Sequence, residues 1–290
     1  MVTLFLLGKK GLITLSDLKE ASLKGISKVI IGKDKNVVND YSDDIIRFCE
    51  DKNINYCDAS VQNHFDSKYA FAIGWKKIID FTADQKLIVF HDSILPRLRG
   101  FNPLVTALIN GDNEIGVTAL FATQEYDRGD IIEIGKMAIK YPIKINDAIN
   151  LVSDLYAKLA NNIIETIMSG KELRSTKQVE SEATYSLWRN QEDYRIDWTA
   201  SSEKIARHIN AVGFPYTGAT TLIEGKEITI VDSEPMDDVV IENRTVGKVI
   251  FKKDGCPVVV CGKGLLKITE ARDSNNEKLD FRTKFRLRFK

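Results

Sequence analysis

Short apolar runs alternate with amphipathic stretches through the first half of the chain. Leu4–Leu7 predicts a strand, Ser16–Leu23 a helix with Ser16 at its N-cap, and Ser27–Ile31 a second strand. Over Tyr41–Lys52 the apolar positions Ile45, Ile46 and Cys49 fall on one helical face. Strand patterning returns at Ile54–Cys57, Tyr69–Ile73 and Leu87–Phe90. Pro103–Asn110 predicts a helix ended by Gly111, and Glu114–Ala122 and Ile131–Lys140 supply further strands. Such alternation implies an α/β domain, a mostly parallel sheet with helices on both faces.

Asp147–Met168 carries the strongest helical signal. Ala148, Ile149, Val152, Leu155, Leu159, Ile163 and Ile167 recur at helical spacing, and Gly170 closes the run. Lys171–Thr184 is polar and irregular, which predicts a linker. One more helix, Ser202–Val212, precedes short β-like runs at Ala219–Ile223, Glu227–Val231, Gly247–Phe251, Val258–Cys261 and Leu265–Thr269. Strands this short, broken by Gly-bearing turns, predict a small OB-like β-barrel as a second domain. The division expected is 1–183 for the larger domain and 184–290 for the linker and smaller one. Lys284–Lys290 alternates basic and apolar residues, predicting a strand with one cationic face.

Charge and cysteine usage narrow the class. Lys plus Arg and Asp plus Glu are both 41 among 290 residues. Proteins whose main ligand is a nucleic-acid backbone usually carry a cationic excess, so a nucleic-acid partner is disfavoured. The apolar start Val2–Leu7 is too short for a signal peptide, and no run reaches membrane-spanning length. Cys49, Cys57, Cys256 and Cys261 have neither disulfide-framework nor CxxC spacing. Reduced thiols, a cytoplasmic setting and no metal site are expected.

The chemistry concentrates at His91-Asp92-Ser93-Ile94-Leu95-Pro96-Arg97-Leu98-Arg99-Gly100 and at Asp127-Arg128-Gly129-Asp130. His91 ends an apolar strand, where open α/β sheets collect their chemistry, and Asp127 lies on a turn after another. An imidazole and a carboxylate on adjacent strand ends make a general acid/base pair. His64 and His208 lack such surroundings and read as structural.

The ordered set His-x-Ser-Ile-Leu-Pro, Asn110-Gly111-Asp112, Gly116-Val117-Thr118 and Asp127-x-Gly-Asp130-Ile131, with 36 residues from His91 to Asp127, resembles the folate-dependent formyltransferases. Downstream, Tyr185–Arg189, Arg195–Trp198 and Phe214–Ala219 resemble the two-domain branches of that family, which act on methionyl-tRNA or nucleotide-linked amino sugars. The resemblance implies a Rossmann-like catalytic sheet and 10-formyltetrahydrofolate as co-substrate. It also implies that His91 and Asp127 are catalytic. An amine would attack the formyl carbon, creating an oxyanion and releasing a proton, and His91 is suited to carry that proton near neutral pH.

At one position the chain departs from its relatives. Where they carry an asparagine two residues before the histidine, this sequence has Val89. One oxyanion donor is typically worth about 3 kcal/mol, and valine donates nothing. Asn102 is the expected substitute. The resemblance places the folate along Gly74, Trp75, Ser93, Ile94 and Leu95, with Trp75 either on the ligand or anchoring its loop. Asp130 would hold the second turn. Arg97, Arg99 and Phe101 would face the acceptor, the arginines reading equally as solvated or loop-ordering side chains.

The Gly74-Trp75 loop, the Arg99-Gly100-Phe101-Asn102-Pro103 run and the balanced charge favour a nucleotide-linked amino sugar, such as one destined for lipopolysaccharide O-antigen. Methionyl-tRNA is the alternative acceptor. A non-catalytic folate or nucleotide-sugar binding protein is the alternative that Val89 suggests. Relatives in the sugar branch imply a homodimer.

Overall fold

The protein is described by a computed structural model covering residues 1–35, 37–282 and 286–290. The chain divides into two compact units, one made of 1–104, 113–139 and 147–187, the other of 105–112, 140–146 and 188–290.

The first unit is built on a seven-stranded sheet. In chain order its strands are β1 (Val2–Leu6), β2 (Ile26–Ile31), β3 (Tyr56–Asp58), β4 (Tyr69–Ile73), β5 (Lys86–His91), β7 (Glu114–Phe121) and β8 (Ile131–Ala138). Their spatial order is β3-β2-β1-β4-β5-β7-β8. The first five run parallel, whereas β7 is antiparallel to β5 and β8 to β7. The sheet is therefore mostly parallel, as expected, with an antiparallel edge formed by β7 and β8. The connection from β7 to β8, residues 122–130, is shorter than the dozen or so residues that a parallel crossover needs, so the two strands pair antiparallel. A further two-residue ladder, β6 (Arg99–Gly100) with β9 (Tyr185–Ser186), binds the segment after His91 to the end of this unit.

The helices of this stretch are α1 (Gly8–Ser16), α2 (Glu20–Leu23), α3 (Ser42–Asp51), α4 (Pro103–Asn110) and α5 (Ile145–Met168). The first helix begins directly after β1, so Ser16 ends a helix instead of capping one, its Oγ donating back to the Ile13 carbonyl at 3.1 Å. Gly11, Thr14 and Leu15 form its buried face.

The long helix α5 covers one side of the sheet. Leu155 and Leu159 lie over Gly135 of β8, the Tyr156 ring stacks on Phe90 of β5 at 5.6 Å, and Asn161 bonds the backbone of Asp17 and Lys19. The strand alternation puts Phe5, Ile30, Ala70, Ala72 and Leu87 on the other side, in a core with Ala59, Phe65 and Ile79; Val89 and Trp75 pack against it. Burial of this kind, at roughly 25 cal/mol per Å² of apolar surface, holds the sheet between its two layers.

The segment after α5 is not a free linker. Thr176 exchanges two backbone hydrogen bonds with Ile131 of β8, each 2.8 Å, and a 3-10 turn follows at Glu180–Glu182.

The second unit carries α6 (Ser202–Ala211), its amino end capped by the Ser201 hydroxyl. Five antiparallel strands follow: β10 (Ala219–Ile223), β11 (Lys226–Met236), β12 (Val249–Lys253), β13 (Cys256–Val260) and β14 (Leu265–Arg272). They lie in the order β10-β11-β14-β13-β12, an open sheet and not the closed barrel expected. The carboxyl-terminal residues lie against both edges: Lys290 exchanges hydrogen bonds with Leu222, and Leu287 and Phe289 bond Val249 and Gly247. Of the basic-apolar tail, Lys284 and Phe285 lie outside the described residues. From 286 onward Arg286, Arg288 and Lys290 are exposed and Leu287 and Phe289 buried. Phe289 packs edge-on against Trp198, centroids 5.3 Å apart.

Among the described residues no helix is long and apolar enough to cross a membrane, and no group of three His, Cys, Asp or Glu is placed to hold a metal. All four cysteines are unbridged; burial pushes the thiols of Cys49 up to about 11 and Cys261 up to about 12.

Candidate active site

The continuous apolar run of β5 ends at His91, opposite Thr118 on β7. Thr118 is fully buried and works in two directions at once. Its Oγ1 donates to the Ser93 carbonyl at 2.7 Å and accepts from the Leu95 amide at 3.1 Å, stapling the loop after His91 to the sheet. Within that loop the Ser93 hydroxyl donates to the Arg97 carbonyl at 2.7 Å. Leu95 is buried, Ile94 is half-buried over Gly116, and Arg97 is exposed.

The loop closes back on the histidine. Leu98 adopts a left-handed conformation, φ 58°, with its amide held by the Thr184 hydroxyl at 2.9 Å. Its carbonyl then sits 2.8 Å from His91 Nε2. On the other side of the ring, Nδ1 lies 3.4 Å from Asp127 Oδ1. Both ring nitrogens thus face oxygen atoms. The side chains of His91 and Asp127 are 8% and 13% exposed, so the pair is largely shielded from solvent.

Asp127 is held at three points. Its backbone is left-handed, φ 57°, a conformation aspartate tolerates better than most residues. Its Oδ2 accepts from the Gly100 amide at 2.8 Å. Its carbonyl and that of Gly129 both accept from Gln178 Nε2 at 2.8 Å. Asp130 closes the turn through its backbone, its carbonyl accepting from the Phe121 amide at 3.0 Å.

Arg99 is expected at the acceptor, but the fold places it elsewhere. It is 0% exposed, with Nε and Nη2 on Gln178 Oε1 and a two-pronged pair to Glu180 at 2.8 and 2.9 Å. All of its donors that matter for anion binding face these partners, so Arg99 anchors Gln178 and, through it, the Asp127 turn. Phe101, 56% exposed, and Asn102 stand beyond it at the surface. Asn102 is left-handed, φ 50°, and its amide makes no hydrogen bond among the described residues.

Gly74 is also left-handed, φ 63°, and a β-carbon there would come within 2.6 Å of the Leu7 carbonyl. The Trp75 indole turns into the core, edge-on to Phe5 at 5.1 Å, and its Nε1 is buried without a partner among the described residues. What this loop offers a ligand is its backbone.

Several residues that shape the site have no local signal in the sequence. Gln178 and Thr184 lie in the polar stretch that reads as a linker. Thr118 belongs to the Gly116-Val117-Thr118 motif, but its stapling role emerges only from strand pairing.

The chain matches the family model described as "Formyl transferase" over residues 60–168, and that described as "Formyl transferase, C-terminal domain" over 189–287. It belongs to the formyl transferase family. Members of this family are folate-dependent one-carbon transfer enzymes that use 10-formyltetrahydrofolate. The chain is similar to methionyl-tRNA formyltransferase of Streptococcus equi subsp. equi, 31% identical over 193 residues, which are 65% of this chain and 59% of that protein. It therefore spans about three fifths of the curated relatives it matches.

The solved structures that share this fold include two formyltransferases. One is an N-formyltransferase from Helicobacter canadensis, in complex with folinic acid and dTDP-3-aminofucose, at TM-score 0.68 and 16% identity, covering 92% of this chain and 98% of that one. The other is methionyl-tRNA formyltransferase from Clostridium thermocellum, at TM-score 0.55 and 19% identity, covering 80% and 92%.

Proposed function

We propose that this chain transfers the formyl group of 10-formyltetrahydrofolate to the amine of a nucleotide-linked amino sugar. The observation that carries the reading is the contact between His91 and Asp127, 3.4 Å apart at the end of β5. In the reaction a new bond joins the amine nitrogen to the formyl carbon. The nitrogen loses one proton, the bond from that carbon to the folate nitrogen breaks, and the freed nitrogen takes up a proton. His91 is the group placed to move the proton, and Asp127 orients the ring. The folate supplies the activated formyl carbon. The backbone at Gly74, with the Trp75 ring anchoring its loop in the core, and the loop Ser93–Leu95 are read as the folate contacts, where the family resemblance places the heterocycle. Asp130 keeps the second turn closed. Exposed Arg97 and Phe101 are read as acceptor contacts, and Arg99 as a positioning residue.

Three features favour a sugar acceptor. Charge is balanced, the Helicobacter canadensis structure shares the fold over nearly its whole length, and its bound acceptor is a nucleotide amino sugar. Similarity to the Streptococcus protein favours the methionyl-tRNA reading. The smaller sheet is read as OB-like, with the carboxyl-terminal tail joining its two edges. A cytoplasmic homodimer remains part of the reading.

A panel of nucleotide amino sugars, with methionyl initiator tRNA alongside, tests the assignment. Formylated sugar and unmodified tRNA are the expected products. Formylation of the tRNA alone, with binding that falls steeply as salt rises, overturns the sugar acceptor.

Val89 yields a second prediction. It is half-buried, two residues before His91 on the same face of β5. Val89→Asn should raise kcat about tenfold by adding an oxyanion donor, and proportionally more in an Asn102→Ala background. It should also lower stability by about 1 kcal/mol, because the amide enters an apolar cluster. Turnover unchanged in both backgrounds means the oxyanion is already served by other groups.

A further inference from the structure

One cluster of charge beside His91 has no part in the chemistry above. The Lys10 ammonium, on α1, donates to Asp92 Oδ2. The Tyr156 hydroxyl, on α5, donates to Asp92 Oδ1 at 2.7 Å and lies 3.1 Å from the Phe90 carbonyl. Phe90 and Asp92 are the residues on either side of His91. The Tyr156 ring also stacks on Phe90, and Lys10 Nζ stands 6.0 Å from the centre of that ring. Lys10 and Asp92 are 17% and 15% exposed, so the pair is shielded far more than a surface ion pair.

Packing alone does not call for these residue types. Apolar side chains of similar volume would join α1, α5 and β5 without the desolvation that a shielded ion pair suffers. A carboxylate fixed here instead puts charge on the residue next to His91 in the chain, while Asp127 faces the ring itself. Burial and the Asp92 carboxylate hold the Tyr156 hydroxyl well above its ordinary range, and Asp127 adds to that effect. Tyr156 therefore remains a donor, and the two acidic groups share one electrostatic neighbourhood.

We propose that Asp92, clamped between Lys10 and Tyr156, is a positioning residue for formyl transfer: it fixes the backbone on both sides of His91 and sets the charge next to that residue in the chain. This rests on the proposed function. The charged and titratable groups around His91 are Asp127 on the turn after β7, Asp92 beyond β5, Lys10 from α1 and Tyr156 from α5. Neutralising one partner leaves the other uncompensated, so the two substitutions have opposite electrostatic signs. Asp92→Asn leaves the Lys10 cation, which disfavours protonation nearby. Lys10→Met leaves the Asp92 anion, which favours it.

The experiment compares full-length wild type, Asp92→Asn, Lys10→Met and Lys10→Arg with 10-formyltetrahydrofolate and the acceptor that the panel identifies. Folinic acid binding and thermal unfolding are measured on the same samples. Asp92→Asn should lower kcat about 30-fold while the folinic acid Kd stays within about twofold. The acid-side midpoint of the kcat–pH profile should move down by about half a unit in Asp92→Asn and up by a similar amount in Lys10→Met. Lys10→Arg should restore most of the rate. Equal losses in both variants without opposite pH displacements would reduce the cluster to a structural tie and overturn the inference. So would Asp92→Asn with wild-type kcat and an unmoved profile. If wild type formylates no acceptor, the proposed function falls and this inference falls with it; wild-type turnover with an indifferent Asp92 removes only the latter.

Discussion

Replacing His91 with alanine is expected to lower kcat for formyl transfer by about 10³-fold or more, because the substitution removes the only proton carrier in contact with Asp127 among the described residues. Asp127→Asn should cost less, about 10²-fold. An asparagine still accepts from the Gly100 amide through its oxygen but no longer offers the ring a charge. In both variants folinic acid binding should persist, since neither side chain is part of the Gly74–Trp75 loop or of Ser93–Leu95. Stopped-flow or quenched single-turnover assays, paired with calorimetric binding, separate the two effects. His91→Ala retaining more than a tenth of wild-type turnover would remove the imidazole from the chemistry. It would return attention to a binding role for the chain.

Stability should respond less than turnover. His91→Ala leaves the Leu98 carbonyl and one Asp127 oxygen without their ring partner, a loss of about 1–2 kcal/mol for partly buried acceptors. A variant that unfolds early while losing little activity per folded molecule is the opposite of what this geometry predicts.

The elements with strong periodicity are legible in the sequence. Residues 147–168 form a helix because their apolar stripe leaves no other way to bury Val152, Leu155 and Leu159 together, and β5 follows from an unbroken apolar run. The helix α1 is not legible: two glycines and two lysines in four residues imitate a turn, and only packing against β1 overrides that local preference. In the same way, the antiparallel addition of β7 and β8 depends on connection length and strand pairing, which periodicity does not encode.

The site divides along the same line. His91 and Asp127 stand out because residue type, strand ends and spacing coincide. For Arg99 the sequence leaves an acceptor contact and a loop-ordering role equally open, because the partners that decide it, Gln178 and Glu180, lie about eighty residues downstream in a polar stretch without periodicity. An arginine beside a catalytic histidine invites an anion-binding reading; burial with a bidentate carboxylate partner reverses it. Lys10, Asp92 and Tyr156 come from three separate elements, so no window of sequence contains the cluster they form.

Gly129→Ala should be the most disruptive single-methyl change in this site. A β-carbon at Gly129 would stand 1.7 Å from the Phe121 carbonyl oxygen and 2.8 Å from its carbon. Neither atom belongs to a side chain that can swing away; both are backbone at the end of β7, where the Phe121 amide is already bonded to the Asp130 carbonyl. Relief requires the turn to open, and the turn is what carries Asp127. As it opens, the Gln178 amide loses the carbonyls of Asp127 and Gly129, and the Gly100 amide loses the Asp127 carboxylate. The substitution should therefore destabilise the protein by about 3 kcal/mol or more and reduce turnover in the folded fraction by about 10²-fold. Denaturant unfolding and activity normalised to folded protein measure the two parts independently. Gly170, with no heavy atom within 4 Å of an added β-carbon, supplies the contrast: alanine there meets only its left-handed backbone, φ 73°, and should cost about 1 kcal/mol without touching kcat. Equal effects at the two glycines would mean that the approach of Gly129 to Phe121 does not hold Asp127 in place.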